Sequence, residues 1–546
     1  MGWTAKFRGL RGWTFGAIAI AIVVISPIFS VLWLAFHPVE NIWPHLMASV
    51  MPRYMATTFQ LMLGVGLLAV VMGTVPAWLT SLYDFPGRRF LDYALFFPLA
   101  IPAYVGAYAL VDFLEYAGPL QSAIRTTFGW KDARDYWFPE IRSVWLASLV
   151  LGSALYPYVY LLARAAFRGQ SGGAYEVARA LGQGPWGVFW RLGLPLARPA
   201  IATGVALVMM ETVADFGTVQ HFGVQTLTTG VFSTWLNGNN AGGAAQISCV
   251  ILTVILILVA MERKGRRNAR FYAASRASRP VVRHTLSSRG AALAVFACSI
   301  PVLLGFVLPL GVMAAHAFSN LNVWVSPGLF DAAFNTVMVA GTASLVTVGA
   351  AVFLVYALRL APRGVARTVL PLTSLGYAAP GAVLAVGILI PLAALDHKLA
   401  DAVQAMTGVD PGLLLTGTAT AIILAYVVRF FGIAQGAVDT ALGRIPPSLP
   451  MAARSLGQTT SGTLRRVHLP LIKGSLASAL LVVFVDCVKE LPATLLLRPF
   501  NFSTLSTRVY EMASLEQLDQ AAPAALLVIG MGLAAVALLA HTTRTH

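Results

Sequence analysis

Apolar stretches of about 20 residues recur along this chain, and their recurrence limits its fold more than any other feature. An α-helix rises about 1.5 Å per residue, so each stretch is long enough to cross roughly 30 Å of bilayer hydrocarbon. Because 58% of the residues are hydrophobic and only 11% are charged, a water-soluble globule is excluded. The sequence therefore predicts an all-α integral membrane protein.

We predict twelve transmembrane helices in two groups of six. An arginine-rich segment, 261–290, separates the first group, 1–260, from the second, 291–546, and is predicted to be a cytosolic linker. The first helix follows basic residues without a cleavage site, so we expect it to be retained. The expected spans are 12–35, 57–80, 92–113, 144–163, 199–219, 244–260, 291–317, 333–358, 369–394, 413–431, 474–496 and 521–541.

The basic residues are distributed unequally between the two sides of this topology. If both termini are cytoplasmic, most of the 38 Lys and Arg residues fall on the inner side, as the positive-inside rule requires. The formal charge of +16 therefore reflects orientation and contact with anionic membrane lipid, and not a nucleic-acid partner. We expect a multi-pass protein of the bacterial inner membrane with both termini in the cytoplasm.

Two segments repeat each other at an offset of 275 residues. Residues 178–196 and 453–471 align without gaps and agree at 10 of 19 positions. Because an even number of predicted spans separates the copies, the two halves have the same orientation and lie side by side about an axis along the membrane normal. The sequence thus predicts two parallel six-helix repeats.

Both copies fall in the cytosolic loop after the fourth span of their half. In the first loop we predict two short helices separated at Gly182, the second beginning at Pro185 and ending at Pro195. Large aromatics on a cytosolic helix need burial, either in the groove of a partner protein or among lipid headgroups. The repeated Gly and Leu-Pro spacing favours a protein partner, because lipid requires no fixed turn geometry. The predicted contact face comprises Trp186, Phe189, Trp190 and Gly193.

This pattern resembles the EAA motif of binding-protein-dependent ABC importer permeases. The matching residues are Glu176-Val177-Ala178, Gly182 and Leu194-Pro195, and in the second loop Met451-Ala452-Ala453, Gly457 and Leu469-Pro470. The resemblance implies a type I ABC importer permease fold whose loops dock into clefts on a cytosolic ABC ATPase homodimer. Val177 and Met451 depart from the motif, which predicts unequal docking of the two loops.

The residues that this resemblance assigns to ATPase coupling lie in both loops. They are Glu176, Ala178, Arg179, Gly182 and Pro195 in the first, and Ala453, Arg454, Gly457 and Pro470 in the second. The chain itself has no Gly-Lys pair, so it lacks a phosphate-binding P-loop, and it has no motif of an enzyme active site. We therefore expect no enzyme activity and no bound cofactor, with ATP and Mg²⁺ bound by the partner ATPase.

Four acids fall inside predicted spans at matching positions of the two halves. The offset of 275 superposes Glu211 on Asp486 and Asp215 on Glu490, which predicts an i, i+4 carboxylate pair on one helical face in each half. Buried acids suit a translocation pathway for a cation, because carboxylates are hard oxygen ligands. Two structural interpretations remain open: hydrogen bonding between helices with Lys489 neutralising an acid, or helices that end before the outer acids.

The segments around these acids, 211–219, 221–230 and 489–499, resemble fused permeases of ferric-iron uptake systems. That resemblance implies a periplasmic substrate-binding protein that delivers Fe(III), with no metal held by the permease beyond transient contact at the acids. Fused thiamine permeases share the architecture, so thiamine or another small solute is the alternative cargo.

Two other classes compete with an ABC permease. The segment 84–89 resembles the basic loop of major-facilitator carriers, which also have twelve spans, but such a carrier has no need of two matched cytosolic loops. A channel or membrane scaffold without ATP coupling is the third class. The outer loop, 114–143, is either a contact for a binding protein or ordinary solvated surface.

Overall fold

The computed structural model describes residues 3–170, 172–269, 283–360, 369–374, 376 and 379–542. Eleven helices in these ranges are long and apolar enough to cross a membrane, and a bent helix pair supplies a twelfth candidate. The predicted all-α integral membrane fold is confirmed.

We number the candidate crossings as spans 1 to 12. Spans 1, 2, 4, 5 and 6 are the helices Trp3–Phe36, Met51–Leu82, Val144–Arg168, Leu194–Ala214 and Ala241–Ala269. Spans 8 to 12 are Leu329–Leu360, Gly381–Thr407, Ala419–Gly443, Leu469–Lys489 and Leu518–Thr542. Span 7 joins Ser288–Val302, the π-helical turn Leu303–Val307 and Leu308–Ser319, and span 3 joins Arg88–Ala94, Phe97–Ala100 and Ala103–Leu114.

Span 3 is bent, in contrast to the straight helix predicted for 92–113. Its inner part ends at Ala100 and its outer part begins at Ala103, with an angle of 96° between them. Pro102 accounts for the break, because a proline ring disfavours the helical conformation of the preceding residue, and Ile101 is extended (φ −99°, ψ 123°). The bend brings backbone from this span into the interior of the bundle.

Short elements connect the spans. Outside the two coupling loops, the described short helical elements include Trp43–Ser49, Pro119–Phe128, Gly217–His221, Leu227–Phe232, Ser233–Asn237, Leu321–Val325, Pro492–Leu497 and Leu505–Ser514. Two short strands, Tyr83–Asp84 and His284–Thr285, pair in parallel.

The repeat seen in the sequence extends to individual hydrogen bonds. In the first half the Leu227 N–H donates to Thr58 Oγ1 at 3.0 Å. In the second half the Leu505 N–H donates to Thr336 Oγ1 at 2.8 Å. Both members of this second bond lie 278 positions after their counterparts, so the two halves share backbone geometry as well as sequence.

The first helix of each half packs against the opposite half. Span 1 contacts spans 8 and 9, and the Trp13 ring stacks on Phe353 with 4.7 Å between centroids. Span 7 contacts spans 3 and 4, where Gly305 lies so close to the Ser153 carbonyl that a Cβ would not fit. The two predicted halves therefore interlock.

The predicted linker, 261–290, lies partly outside the described residues, which omit 270–282. At its start span 6 continues as a helix to Ala269. At its end the strand His284–Thr285 is fixed against the residues that follow span 2.

Candidate functional site

The two predicted coupling loops share one design. Loop 1 (172–196) begins with the helix Gly172–Ala180, and loop 2 (447–471) begins with the helix Ser448–Ser455. In each loop a turn follows, and then a second helical segment runs directly into span 5 or span 11.

The turn in each loop depends on a glycine. Gly182 has φ 79° and Gly457 has φ 82°, and in both cases the following glutamine N–H donates to the carbonyl of Ala178 or Ala453, at 3.1 and 3.0 Å. A Cβ on either glycine would meet no atom within 4 Å. Glycine is therefore required here by the left-handed backbone and not by lack of space.

The four residues of the predicted contact face of loop 1 do not lie on one surface. Trp186 and Trp190 are 75% and 59% exposed, as expected for a docking surface. Phe189 is only 8% exposed, and both Phe189 and Gly193 pack inward against Trp78 of span 2. The internal partner was missed because Trp78 lies within the apolar pattern of its span.

The sequence predicts that the second helix of loop 1 ends at Pro195, and this prediction is wrong. The π-helical turn Phe189–Gly193 precedes it, and the helix continues through Pro195 into span 5. The same arrangement recurs at Leu464–His468 before Pro470. The π-turn shifts the hydrogen-bond register by one residue, with the Leu194 N–H donating to the Phe189 carbonyl, and the proline that follows has no N–H to place in the helical ladder.

The other coupling candidates lie on or near the loop surfaces. Glu176 and Arg454 are exposed, Ala178 and Arg179 are half-buried, and Ala453 is buried. Arg179 lies close to the phenol of Tyr83: burial raises the Tyr83 pKa above its ordinary value, and Arg179 opposes that rise. Loop 1 is thus anchored to the residues that follow span 2.

The acid pairs do not share a helical face, so that prediction is wrong. Span 5 ends at Ala214, and Asp215 has an extended backbone with ψ 136°. Span 11 ends at Lys489, and Glu490 is extended with ψ 118°. The interpretation in which the helices end before the outer acids is the correct one. Glu490 is nevertheless only 4% exposed, so it is not an interfacial residue.

Each outer acid caps a short helix that begins just after it. The Asp215 carboxylate accepts hydrogen bonds from the Thr218 and Val219 N–H groups, both at 3.1 Å. The Glu490 carboxylate accepts one from the Ala493 N–H at 2.9 Å. A carboxylate at a helix N-terminus satisfies otherwise unpaired donors, so these two acids have a structural role.

All four acids line one cavity of about 180 Å³ between the two halves. Two basic side chains line it as well: Arg429 pairs with Glu490 at 3.1 Å, and the Lys489 ammonium donates to the Leu99 carbonyl of span 3. Lys489 also lies within electrostatic range of Asp486 and Glu211. The predicted neutralising role of Lys489 thus has a geometric basis, whereas the sequence did not single out Arg429.

The basic residues of the cavity come from the second half alone. At the offset of 275, Arg429 corresponds to Ala154 and Lys489 to Ala214. With four carboxyl groups and two cations in the lining, carboxylates are in excess by two. The cavity is therefore symmetric in its acids and asymmetric in its countercharges.

The halves meet just beyond the acids. The Phe216 ring lies 5.8 Å from that of Tyr510, and Gly217 packs against Leu491 with no room for a Cβ. Phe216 and Leu491 directly follow the two capping acids, so a movement of the caps would move this contact.

One outer charge cluster was not predicted. His316 of span 7 contacts Asp112 Oδ2 at 3.0 Å through Nε2 and Asp519 Oδ1 at 2.5 Å through Nδ1. No local sequence pattern connects this histidine with its partners, which lie 203 and 204 residues away. In the described ranges no group of three or more His, Cys, Asp and Glu side chains is placed to hold a metal ion.

Comparison with known proteins agrees with this geometry. Residues 66–264 match the family of binding-protein-dependent transport system inner membrane components. The first half of the chain therefore contains a domain of this family. The protein is a multi-pass permease subunit of the inner membrane.

Relatives of the permease include fused and single-repeat proteins. An Fe(3+)-transport system permease protein of Haemophilus influenzae is 27% identical over 488 residues, 88% of both chains. A ferric transport system permease protein of Actinobacillus pleuropneumoniae is 23% identical, over 73% of this chain and 58% of the relative. A molybdenum transport system permease protein of Escherichia coli is 28% identical over 37% of this chain and 90% of its own. The permease therefore has relatives that cover both of its repeats.

Proposed function

We propose that the permease moves ferric iron into the cytoplasm, delivered by a periplasmic substrate-binding protein and driven by two copies of a separate cytosolic ABC ATPase. The convergence of Glu211, Asp215, Asp486 and Glu490 on one cavity between the halves carries this proposal. The names of two relatives, which refer to Fe(3+) or ferric transport, support it.

The charge of the cavity favours a cation over an anion. Carboxylates exceed basic groups by two, so an anionic cargo would be repelled on balance, whereas Fe(III) prefers oxygen ligands. The acids surround the cavity without forming a coordination sphere, which suits transient contact during passage better than tight binding.

In this proposal, loops 1 and 2 transmit the movement of the ATPases to the helices that line the cavity. Exposed Trp186 and Trp190 supply apolar docking area on loop 1, whereas loop 2 has Ser461 and Arg465 at the same positions. Unequal docking of two identical ATPases follows. ATP and Mg²⁺ bind to the ATPases, both termini lie in the cytoplasm, and the basic cytosolic segments contact anionic lipid.

Reconstitution tests the cargo directly. Proteoliposomes that contain the permease, its ATPase and its binding protein should accumulate ⁵⁵Fe(III) on addition of ATP, and unlabelled thiamine should not compete. Uptake of labelled thiamine in place of iron would assign the permease to the alternative cargo. Iron uptake without ATP would contradict the ABC mechanism.

A further inference from the structure

An aromatic contact joins each coupling loop to the cytosolic end of a neighbouring span. In the first half Trp78 of span 2 is only 6% exposed and packs against Phe189 with 5.1 Å between ring centroids. The same ring covers Gly193 so closely that any Cβ there would collide with it. A large ring on the span thus faces the smallest residue on the loop.

In the second half the residue on the span is smaller and the residue on the loop is larger. Tyr356 of span 8 is the counterpart of Trp78, and His468 of loop 2 is the counterpart of Gly193, at offsets of 278 and 275. The Tyr356 and His468 rings lie 5.2 Å apart, and the Tyr356 hydroxyl donates to the Thr460 carbonyl of loop 2 at 2.8 Å. A smaller ring on the span therefore faces a larger residue on the loop. The two exchanges change the volume in opposite directions.

We infer that Trp78–Gly193 and Tyr356–His468 are the joints through which the coupling loops move the membrane helices. Spans 2 and 8 pack along spans 4 and 10, and these line the cavity through Tyr158 in the first half and Arg429 in the second. A tightly packed contact transmits displacement because it has little room to deform. This inference rests on the proposed coupling to ATPases and names the residues that carry it.

The two joints differ in kind. Trp78 contacts loop 1 through packing alone among its described contacts, and its ring also meets Phe167, Tyr175 and Tyr83. Tyr356 adds a hydrogen bond to loop 2 and packs against Trp13 of span 1, which belongs to the first half of the chain. The second joint is therefore tied to both halves of the permease and the first to its own half.

Exchanging the pairs tests the inference. In the full transporter, Gly193→His should lower iron uptake per ATP hydrolysed by about tenfold, because the new ring displaces Trp78. The double variant Trp78→Tyr with Gly193→His rebuilds the pair of the second half, and uptake per ATP should return to within about threefold of the wild type. Trp145→Tyr, at an exposed position of span 4, is the matched control and should leave uptake unchanged.

Two further measurements separate the possible outcomes. ATPase co-purification and the thermal midpoint should stay near wild type in the double variant, so a loss of uptake there is not a loss of folding. A double variant no better than Gly193→His alone, or a Gly193→His variant with normal uptake per ATP, overturns the inference. If the wild type fails to bind the ATPase, the proposed coupling itself is wrong.

Discussion

Glu211 and Asp215 are only four residues apart, yet the structure gives them different tasks. Asp215 lies beyond the helix end and its oxygens accept hydrogen bonds from backbone N–H groups and from the Thr218 hydroxyl. Glu211 lies within span 5, where its side chain lines the cavity. Charge at these two positions should therefore affect different properties of the permease.

Neutralising Glu211 should impair transport without unfolding the protein. We expect Glu211→Gln to lower iron uptake about tenfold, because one favourable charge interaction with the cation is lost in a site of low dielectric. Asp215→Ala should instead lower stability by about 1 kcal/mol through loss of a helix cap. Uptake and thermal unfolding of both variants check this. Normal uptake by Glu211→Gln, Asp215→Asn, Asp486→Asn and Glu490→Gln alike would remove the pathway proposal.

His221 should make the protein less stable in acid. Burial, with a smaller contribution from Arg142, lowers the pKa of His221 from 6.5 to about 4. Protonation then favours the unfolded chain, so stability should be lost as the pH falls from about 6.5 toward 4. His221→Gln should flatten this dependence, measured as the thermal midpoint against pH. An unchanged slope would show that other groups cause the acid sensitivity.

At the scale of whole elements, the coupling loops depend on their backbone turns. Alanine at Gly182 or Gly457 would meet no steric obstacle, but a left-handed conformation costs an L-residue roughly 1–2 kcal/mol. We expect such a variant to relieve this strain by moving the first helix of the loop, which carries Glu176 or the matching Met451.

Substitution of these glycines should uncouple the transporter. Gly182→Val should abolish transport and ATPase stimulation while the protein still inserts, because a β-branched residue resists positive φ strongly. Gly184→Ala, in the same loop, is a comparison variant at φ −70°, where a Cβ would meet no atom within 4 Å. Membrane insertion, uptake and stimulated ATP hydrolysis are the measurements. Full stimulation in Gly182→Val would contradict the docking role.

Sequence patterns located these elements better than they oriented them. The repeat at an offset of 275 identified both loops and all four acids, because the two copies align without gaps. The π-turn was not visible in the sequence, and it rotated Phe189 inward while Trp186 and Trp190 stayed outside. Arg429 was not recognised as a cavity residue, because the mean hydropathy of its predicted span stays high despite one charged side chain.

For the molecule as a whole, the exchange of spans 1 and 7 has the largest consequence. Each half shares its first helix, which packs against the other half as well as against the last span of its own, so each half exposes apolar surface when its partner is absent. No hydropathy pattern reports which half a helix joins, and the sequence therefore predicted twelve spans without this interlocking.

Dividing the chain should show the mutual dependence of the halves. Residues 1–272 and 273–546, expressed together as two polypeptides, should associate, co-purify and support uptake, because the exchanged helices restore the contacts between Trp13 and Phe353. Each polypeptide expressed alone should be degraded or aggregate. A stable, monodisperse single half would contradict this expectation.

The exchanged helices also constrain what can move during a transport cycle. Span 1 packs against spans 8 and 9, where the Pro27 carbonyl contacts Gly387 of span 9. Span 7 packs against span 4 in a similar way, through Gly305 and the Ser153 carbonyl. If each group of six helices moved as a rigid body, the contacts of spans 1 and 7 with the opposite half would have to break. Spans 1 and 7 should instead form a stationary frame, inside which the helices attached to the two loops tilt.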